Sequence, residues 1–187
     1  MNPKKIVVGY DYYFGTKRSG TPEYLKQWGN KNNIDITIIS PFTLNKTIVK
    51  SKHIRKLIQE SKFKEAINFL GHPYLIKGIV VKGDQRGRSL GFPTANLDVE
   101  TTKLIPQTGV YSGYIILNNI TYKTFIYIGT KPTFGGQTKT IEAYIHEFSG
   151  NLYKKEIGIH IEKFIRKEIK FNSSNDLIMQ IKNDLGV

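Results

Sequence analysis

A glycine-rich segment, residues 83–97 with the sequence GDQRGRSLGFPTANL, carries the residues best suited to chemistry. Gly83, Gly87 and Gly91 recur at every fourth position, and arginines lie between them. Glycines let backbone amides approach a ligand closely, and arginines present forked donors to phosphate oxygens. The segment therefore favours a phosphate-binding loop, with a glycine-rich hairpin turn bearing exposed arginines as the plain alternative.

The end of this segment offers candidate metal ligands. Pro93 fixes its own φ and pushes Phe92 into an extended conformation. Thr94 and Asn96 then present a hydroxyl and an amide on one side of an extended chain. Such neutral oxygen ligands suit a Mg²⁺ ion that keeps waters and takes its negative partners from nucleotide phosphates. The pattern is not a Walker A motif, because arginine replaces lysine and Pro93 forbids the following helix.

Composition narrows the class of protein. The 187 residues include no cysteine, which excludes disulfides and thiolate metal sites. No apolar run approaches the ~20 residues of a membrane span, and the N-terminus lacks a signal-peptide layout, so we expect a cytoplasmic protein without a membrane partner. The net charge of +13 suits nucleic acid, nucleotides or phosphorylated metabolites. Because the lysines are scattered, charge alone does not favour nucleic acid, and we expect no nucleic-acid partner.

The first 71 residues predict a small α/β segment. Strands at residues 4–9 and 34–39 flank a helix that Thr21 caps and Pro22 begins. Two further helices are expected over residues 51–62 and 63–70. The side chains expected to face inward from the first helix are Tyr24, Leu25 and Trp28. This alternation of strands and helices is typical of an α/β unit.

From residue 74 the pattern changes to short strands. Asn118-Asn119 predicts a two-residue hairpin turn, since asparagine tolerates positive φ. Ser173 and Asp176 lie at capping-box spacing and predict a closing helix. Five or six evenly spaced strands favour an antiparallel β-barrel. The expected strands include residues 76–82, 109–117, 121–129, 139–148 and 156–164.

Residues 74–184 resemble the riboflavin kinase (flavokinase) domain in five blocks that arrive in order. The blocks are GDQRGRSLGFPTANL, GVYSGYI, IGTKPTFGG, TIEAYIHEFSGNLY and IRKEIKF. The resemblance implies an α+β chain in which residues 72–187 form a six-stranded antiparallel Greek-key β-barrel with a C-terminal helix. Residues 1–71 would form a small truncated α/β nucleotidyltransferase-like segment in front of it.

The N-terminal segment looks like the second half of the FMN adenylyltransferase domain of bacterial bifunctional riboflavin kinase/FAD synthetases. Residues 7–20 and 49–61 resemble that domain's phosphate-side loops. None of the four histidines has the HxGH spacing of the nucleotidyl-transfer motif. The resemblance therefore implies a truncated adenylyltransferase that lacks transfer chemistry.

The resemblance also implies an activity, which is transfer of the γ-phosphoryl of ATP to the 5′-hydroxyl of riboflavin with Mg²⁺ as cofactor. Glu142 would be the general base, Arg88 would neutralise charge, and Thr94 and Asn96 would hold the metal. The full ATP-binding set would be Lys82, Gly83, Gly87, Arg88, Ser89, Gly91, Pro93, Thr94 and Asn96. The flavin-binding set would be Tyr111, Glu142, Arg166 and Phe171. Family proteins often have asparagine at the position of Tyr127, histidine at that of Tyr144 and arginine at that of Lys131.

Other interpretations compete with a kinase. On pattern alone, Glu142 is a solvated strand residue, and Thr94 and Asn96 are turn residues. One alternative is part of a bifunctional FAD synthetase, cut so that only the kinase half is complete. Another is a non-catalytic flavin- or RNA-binding module, in which aromatic residues among lysines stack bases.

Overall fold

The computed structural model describes residues 3–133 and 136–186. Phe134 and Gly135, which belong to the IGTKPTFGG block, lie outside the described residues. By contacts the chain divides into two compact units after Lys50. The boundary predicted at residue 71 stays a prediction about domains. None of the helices in the described part of the chain is long and apolar enough to cross a membrane.

The first unit contains a two-stranded parallel sheet and one helix. β1 pairs with β2 in the register Ile6 to Ile36, as expected for a strand–helix–strand unit. The Thr21 hydroxyl accepts a hydrogen bond from the backbone amide of Tyr24 at 3.2 Å, which confirms the predicted cap. The elements are β1 (Lys5–Gly9), α1 (Pro22–Lys31), β2 (Asp35–Ile39), β3 (Thr43–Leu44) and β4 (Thr47–Ile48).

The inward face predicted for α1 is wrong in two of its three residues. Tyr24 is 57% exposed and Trp28 is 40% exposed, whereas Leu25 is half-buried. The buried contact is made by Gly29 instead, where an added Cβ would lie 2.3 Å from Ile36. The helix thus approaches the sheet through a glycine, and a two-stranded sheet is too narrow to cover the aromatic side chains as well.

The second unit is a closed six-stranded barrel with helices at its ends. The strands are β5 (Tyr74–Val81), β6 (Thr94–Asp98), β7 (Gly109–Leu117), β8 (Ile120–Thr133), β9 (Gly136–Ile145) and β10 (Glu156–Arg166). The helices are α2 (Ser51–Gln59), α3 (Phe63–Leu70), the single turn α4 (Arg86–Ser89) and α5 (Ser174–Leu185). The Ser173 hydroxyl accepts from the Asp176 amide and caps α5 as predicted.

The strand order around the barrel is β10–β5–β6–β9–β8–β7, and all neighbours are antiparallel. β7, β8 and β9 form a meander, and β10 returns beside β7, which is the Greek-key connection. Asn118 and Asn119 have φ of 49° and 63° at the β7–β8 turn, as a two-residue hairpin with positive φ requires. The predicted six-stranded Greek-key barrel is confirmed.

Alternation along each strand separates an apolar interior from the outer wall. On β9, Ile141 and Ala143 are buried inside the barrel, so Glu142 between them faces outward. Side chains of α2 and α3 complete the same buried cluster, among them Leu57 and Phe63. Burial of such aliphatic area stabilises the unit by about 25 cal/mol per Å². The outward residues of the wall therefore project from strands whose other face is packed in this core.

Candidate active site

Strand register places three of the predicted site residues, Asn96, Glu142 and Arg166, in one row on the outer wall of the barrel. Asn96 of β6 lies opposite Glu142 of β9, and Glu142 lies opposite Tyr127 of β8. Tyr127 lies opposite Val110 of β7, which lies opposite Arg166 of β10. Directly paired residues on one face have neighbouring side chains. With about 4.8 Å between strands, the five residues span roughly 19 Å along the curved wall.

Thr94 joins this row through its side chain. Its hydroxyl donates a hydrogen bond to Oε2 of Glu142 at 3.0 Å, although the two residues are 48 positions apart in sequence. Asn96, two residues further along β6, lies on the same face of the strand. Its amide packs on Gly83, where a Cβ would lie 2.3 Å from the Asn96 side chain. The structure therefore brings Thr94, Asn96 and Glu142 together, as the sequence predicted.

The donor set fits a magnesium ion that relies on a nucleotide. No cluster of three or more acidic, histidine or cysteine ligands occurs among the described residues, so the chain offers no cage of its own there. Thr94 and Asn96 supply one neutral oxygen each, and the Glu142 carboxylate already accepts from the Thr94 hydroxyl. Mg²⁺ is usually held by few protein ligands, with waters and phosphates completing its octahedron.

The glycine loop folds as a helical turn. Gln85 has φ of 57° ahead of α4, and Gly91 has φ of 85° after it. The amides of Arg88, Leu90 and Gly91 donate to carbonyls within the loop. These three amides are therefore engaged in closing the turn, and phosphate binding by the backbone of residues 83–91 stays a prediction.

A cavity of about 680 Å³ lies between the outer wall, the glycine loop and α5. Thr94, Glu142 and Tyr127 line its wall side. Phe171 lines it from the segment after β10, and Leu177 lines it from α5. The volume lies within the ~300–1,000 Å³ range of small-molecule sites, and the lining combines aromatic surface with a few polar groups, as such sites do.

A second cavity of about 550 Å³ adjoins the first on the other side of the glycine loop. Arg88 and Pro93 line it, and Asn151 lines it from the loop between β9 and β10. Gln85 and Thr94 line both cavities. Two ligands bound in these cavities would meet at Thr94, next to Glu142.

Arg166 lies at the larger cavity, but its charge is already paired. Its Nε donates to both carboxylate oxygens of Asp184 at 3.0 Å, and its Nη2 donates to Oδ2 at 2.7 Å. Gln180 adds a further bond to Asp184 at 2.9 Å. The guanidinium carbon lies 5.9 Å from the centre of the Phe171 ring. Arg166 therefore ties α5 to the end of β10, and Phe171 is packed beside it.

Tyr111, a predicted flavin-binding residue, lies away from both cavities. It is fully buried inside the barrel, where it packs edge-on against Phe63 and lines neither cavity. Its hydroxyl bonds to Ser61 at 2.8 Å and donates to the carbonyl of Gln107 at 2.6 Å, and burial raises its pKa. This position gives no support to the flavin contact expected for Tyr111, which stays a prediction, because alternation along β7 turns Tyr111 inward while Val110 faces the cavity.

The remaining predicted residues lie around the loop. Lys82 is exposed and lines neither cavity, and the same holds for Ser89 and Gly91. Gly87 lines the larger cavity. Lys131, also at that cavity, forms an ion pair with Asp84 of the glycine loop at 2.8 Å.

Sequence reasoning gave no role to three cavity residues, although it noted Tyr127 as a departure from the family. The Tyr127 hydroxyl donates a hydrogen bond to the Glu168 carboxylate. Burial raises the pKa of Tyr127, and the hydrogen bond and charge of Glu168 raise it further. Asp184 is the partner of Arg166. Alternation along β8 could have placed Tyr127 outward, but no local signal pairs it with Glu168, 41 residues away.

Proteins that are already characterised by family resemble this chain in both sequence and fold. The family described as Flavokinase: Riboflavin kinase matches residues 70–187, and FAD synthetase matches residues 1–53. A bifunctional riboflavin kinase/FMN adenylyltransferase of Listeria monocytogenes is 37% identical over 98% of this chain and 59% of its own length. Its Bacillus subtilis counterpart is 34% identical over the same shares.

A solved structure agrees with these relatives. A Streptococcus pneumoniae protein described as a macrolide-efflux protein has a TM-score of 0.86 and 33% identity, covering 98% of this chain and 59% of that one. That description belongs to the pneumococcal protein, and the likeness lies in sequence and fold. The chain spans about three fifths of the length of the curated relatives named here. On the match over residues 70–187 and the barrel described above, the chain belongs to the riboflavin kinase family.

Proposed function

We propose that this chain is a riboflavin kinase, which transfers the γ-phosphoryl of ATP to the 5′-hydroxyl of riboflavin and releases FMN and ADP. The observation that carries the proposal is the meeting of two cavities at Thr94, whose hydroxyl donates to Glu142. Phosphoryl transfer requires two substrates to be aligned at one point and charge to be neutralised there. The family membership of residues 70–187 agrees with this chemistry.

The lining of each cavity suggests its substrate. The larger cavity combines aromatic rings such as Phe92, Tyr144 and Phe171 with the Glu142 carboxylate, which suits the flavin ring and its polar ribityl chain. The second cavity contains Arg88 and Asn151, which suit the phosphates and sugar of ATP. The γ-phosphate would then lie beside Thr94.

The chain's residues have distinct roles in this proposal. Glu142 accepts the proton of the 5′-hydroxyl, and Arg88 neutralises charge on the phosphates. Thr94 and Asn96 would hold Mg²⁺, and Pro93 lines the cavity assigned to ATP. Nucleotide contacts of Lys82, Gly83, Gly87, Ser89 and Gly91 stay predictions of the family resemblance, because these residues do not line that cavity. The metal, when held by Thr94 and Asn96, would supply positive charge to the phosphates of the nucleotide. Phe171 packs on the flavin, and Arg166 acts through its tie to Asp184.

The decisive experiment replaces Glu142 with glutamine. Turnover of riboflavin with ATP and Mg²⁺ should fall by ~10²–10⁴-fold, because the general base is lost while its shape is kept. ATP affinity should change little. Glu162→Gln is the matched control, since Glu162 is an exposed β10 residue that lines neither cavity. Full activity in Glu142→Gln would exclude Glu142 as the base.

The match of residues 1–53 to FAD synthetase raises FMN adenylyltransferase as a second activity, which we expect not to be found, because the match is short and none of the four histidines has the HxGH spacing. An FMN adenylyltransferase would convert FMN and ATP to FAD and pyrophosphate. Chromatography of an incubation of the chain with FMN, ATP and Mg²⁺ separates the two activities. Formation of FAD would establish the second activity, and its absence beside FMN formation from riboflavin would leave the kinase alone.

A further inference from the structure

We propose, on the basis of the riboflavin kinase function above, that Tyr127 is a positioning residue for the flavin. Through its hydrogen bond it holds Glu168, and with it residues 167–171, against the barrel wall. The cavity is thereby shaped before riboflavin enters.

The geometry of Tyr127 is built for this contact. An added Cβ at Gly129 would lie 2.5 Å from the Tyr127 hydroxyl oxygen and 2.6 Å from its Cζ. The phenol therefore lies along β8, over the space that a glycine leaves open. From this position its hydroxyl donates to Glu168. A side chain at residue 129 would push the ring away from its partner.

The segment that contains Glu168 lacks regular secondary structure, so side-chain contacts such as the Tyr127–Glu168 hydrogen bond determine where it lies. Residues 167–173 lie between β10 and α5 and have no helix or strand of their own. Arg166 fixes the end of β10 through Asp184, and the Tyr127–Glu168 bond holds the start of the segment, two residues further on. Ile169 follows directly, lines the cavity and is 46% exposed. Holding this apolar side chain in place spares the entropy of ordering it when a flavin ring binds.

The bond shapes the cavity without closing it. With Tyr127 and Glu168 joined, the cavity still measures about 680 Å³, because the ring lies along the wall and not across the opening. A tyrosine is already a neutral donor at neutral pH, and burial together with the hydrogen bond and charge of Glu168 raises the pKa of Tyr127 further. The pair is therefore a permanent support for the bound ligand.

The test is the affinity for riboflavin, measured by quenching of flavin fluorescence in the presence of ADP and Mg²⁺. Tyr127→Phe removes the donor and keeps the ring, and we expect Kd to rise ~3–10-fold, since Glu168 is exposed and the bond's net strength is modest. In turnover, KM for riboflavin should rise while KM for ATP stays unchanged. Tyr114→Phe is the control, because Tyr114 stacks on His160 and lines neither cavity.

Two further comparisons distinguish positioning from general destabilisation. Glu168→Ala and Tyr127→Phe should not add in the double variant, because both remove the same contact. Gly129→Ala should weaken riboflavin binding in the wild type and have no further effect beside Tyr127→Ala, where there is no ring to displace.

Each outcome decides the proposal. An unchanged or lower Kd in Tyr127→Phe, or full additivity with Glu168→Ala, overturns it. A wild-type chain that binds riboflavin without phosphorylating it refutes the kinase function and leaves the positioning role standing if the Kd pattern holds. A wild-type chain that binds no riboflavin refutes both.

Discussion

Replacing Asp184 with asparagine tests whether the Arg166–Asp184 pair holds α5 against the barrel. The side chains are 18% and 8% exposed, and three Arg166 contacts end on the carboxylate. Breaking a buried pair costs about 3–5 kcal/mol, because one charge is left without its partner. Since the guanidinium keeps some access to water, we expect about 2–3 kcal/mol.

Thermal unfolding followed by far-UV circular dichroism measures this loss. For a protein of this size, each kcal/mol shifts Tm by about 2–4 °C, so the variant should melt roughly 4–12 °C lower. Glu60→Gln is the control, since Glu60 lies 2.9 Å from Lys62 in an exposed pair and such pairs contribute about 0–1 kcal/mol. Riboflavin affinity should fall with Asp184→Asn, because Leu177 and Ile181 of α5 line the cavity.

The reasoning also predicts a rescue. Arg166→Met combined with Asp184→Leu should be more stable than Asp184→Asn alone, since a buried pair can be replaced by apolar residues without an orphaned charge. An Asp184→Asn variant within about 0.5 kcal/mol of the wild type would refute a holding role for the pair. A double variant less stable than the single one would show that the charges themselves are needed.

Two other changes test other parts of the structure. Tyr111→Phe should lower the free energy of unfolding by about 1–3 kcal/mol in urea titration, because it leaves the Gln107 carbonyl and the Ser61 hydroxyl without their buried partner. Riboflavin affinity should not change in this variant, and a large loss of affinity would show that Tyr111 contacts the flavin. Gly83→Ala should weaken binding of ATP–Mg²⁺ by ~10-fold or more, as measured by calorimetry, because the added Cβ would lie 2.3 Å from the Asn96 amide and would displace it. An unchanged affinity would show that Asn96 is not a metal ligand.

Local features of this protein were predictable because they depend on neighbours in sequence. The caps at Thr21 and Ser173 and the turn at Asn118 use side-chain and backbone preferences that act over a few residues. Alternation along β9 placed Glu142 on the face opposite Ile141. The resemblance in five ordered blocks added the barrel and the pairing of Glu142 with Thr94 in one site.

Errors arose where burial depends on distant contacts. Periodicity marks Tyr24 as apolar, but only the width of the sheet beneath α1 decides whether it is covered. The sequence of β7 does not show which of its two faces points into the barrel. Tyr111 lies on the inward face, where it packs against Phe63 of α3.

The sequence by itself indicated most of the longer strands and helices, the alternation that places Glu142 opposite Ile141, and which residue types could hold a phosphate and a metal. Tertiary structure alone decided the register that aligns Asn96, Glu142, Tyr127, Val110 and Arg166 in one row. It also decided that Tyr127 meets Glu168 and that Arg166 is neutralised by Asp184. The physical reason is that propensity and periodicity act within a few residues, whereas strand register and ion pairing are settled by packing between segments far apart in the chain.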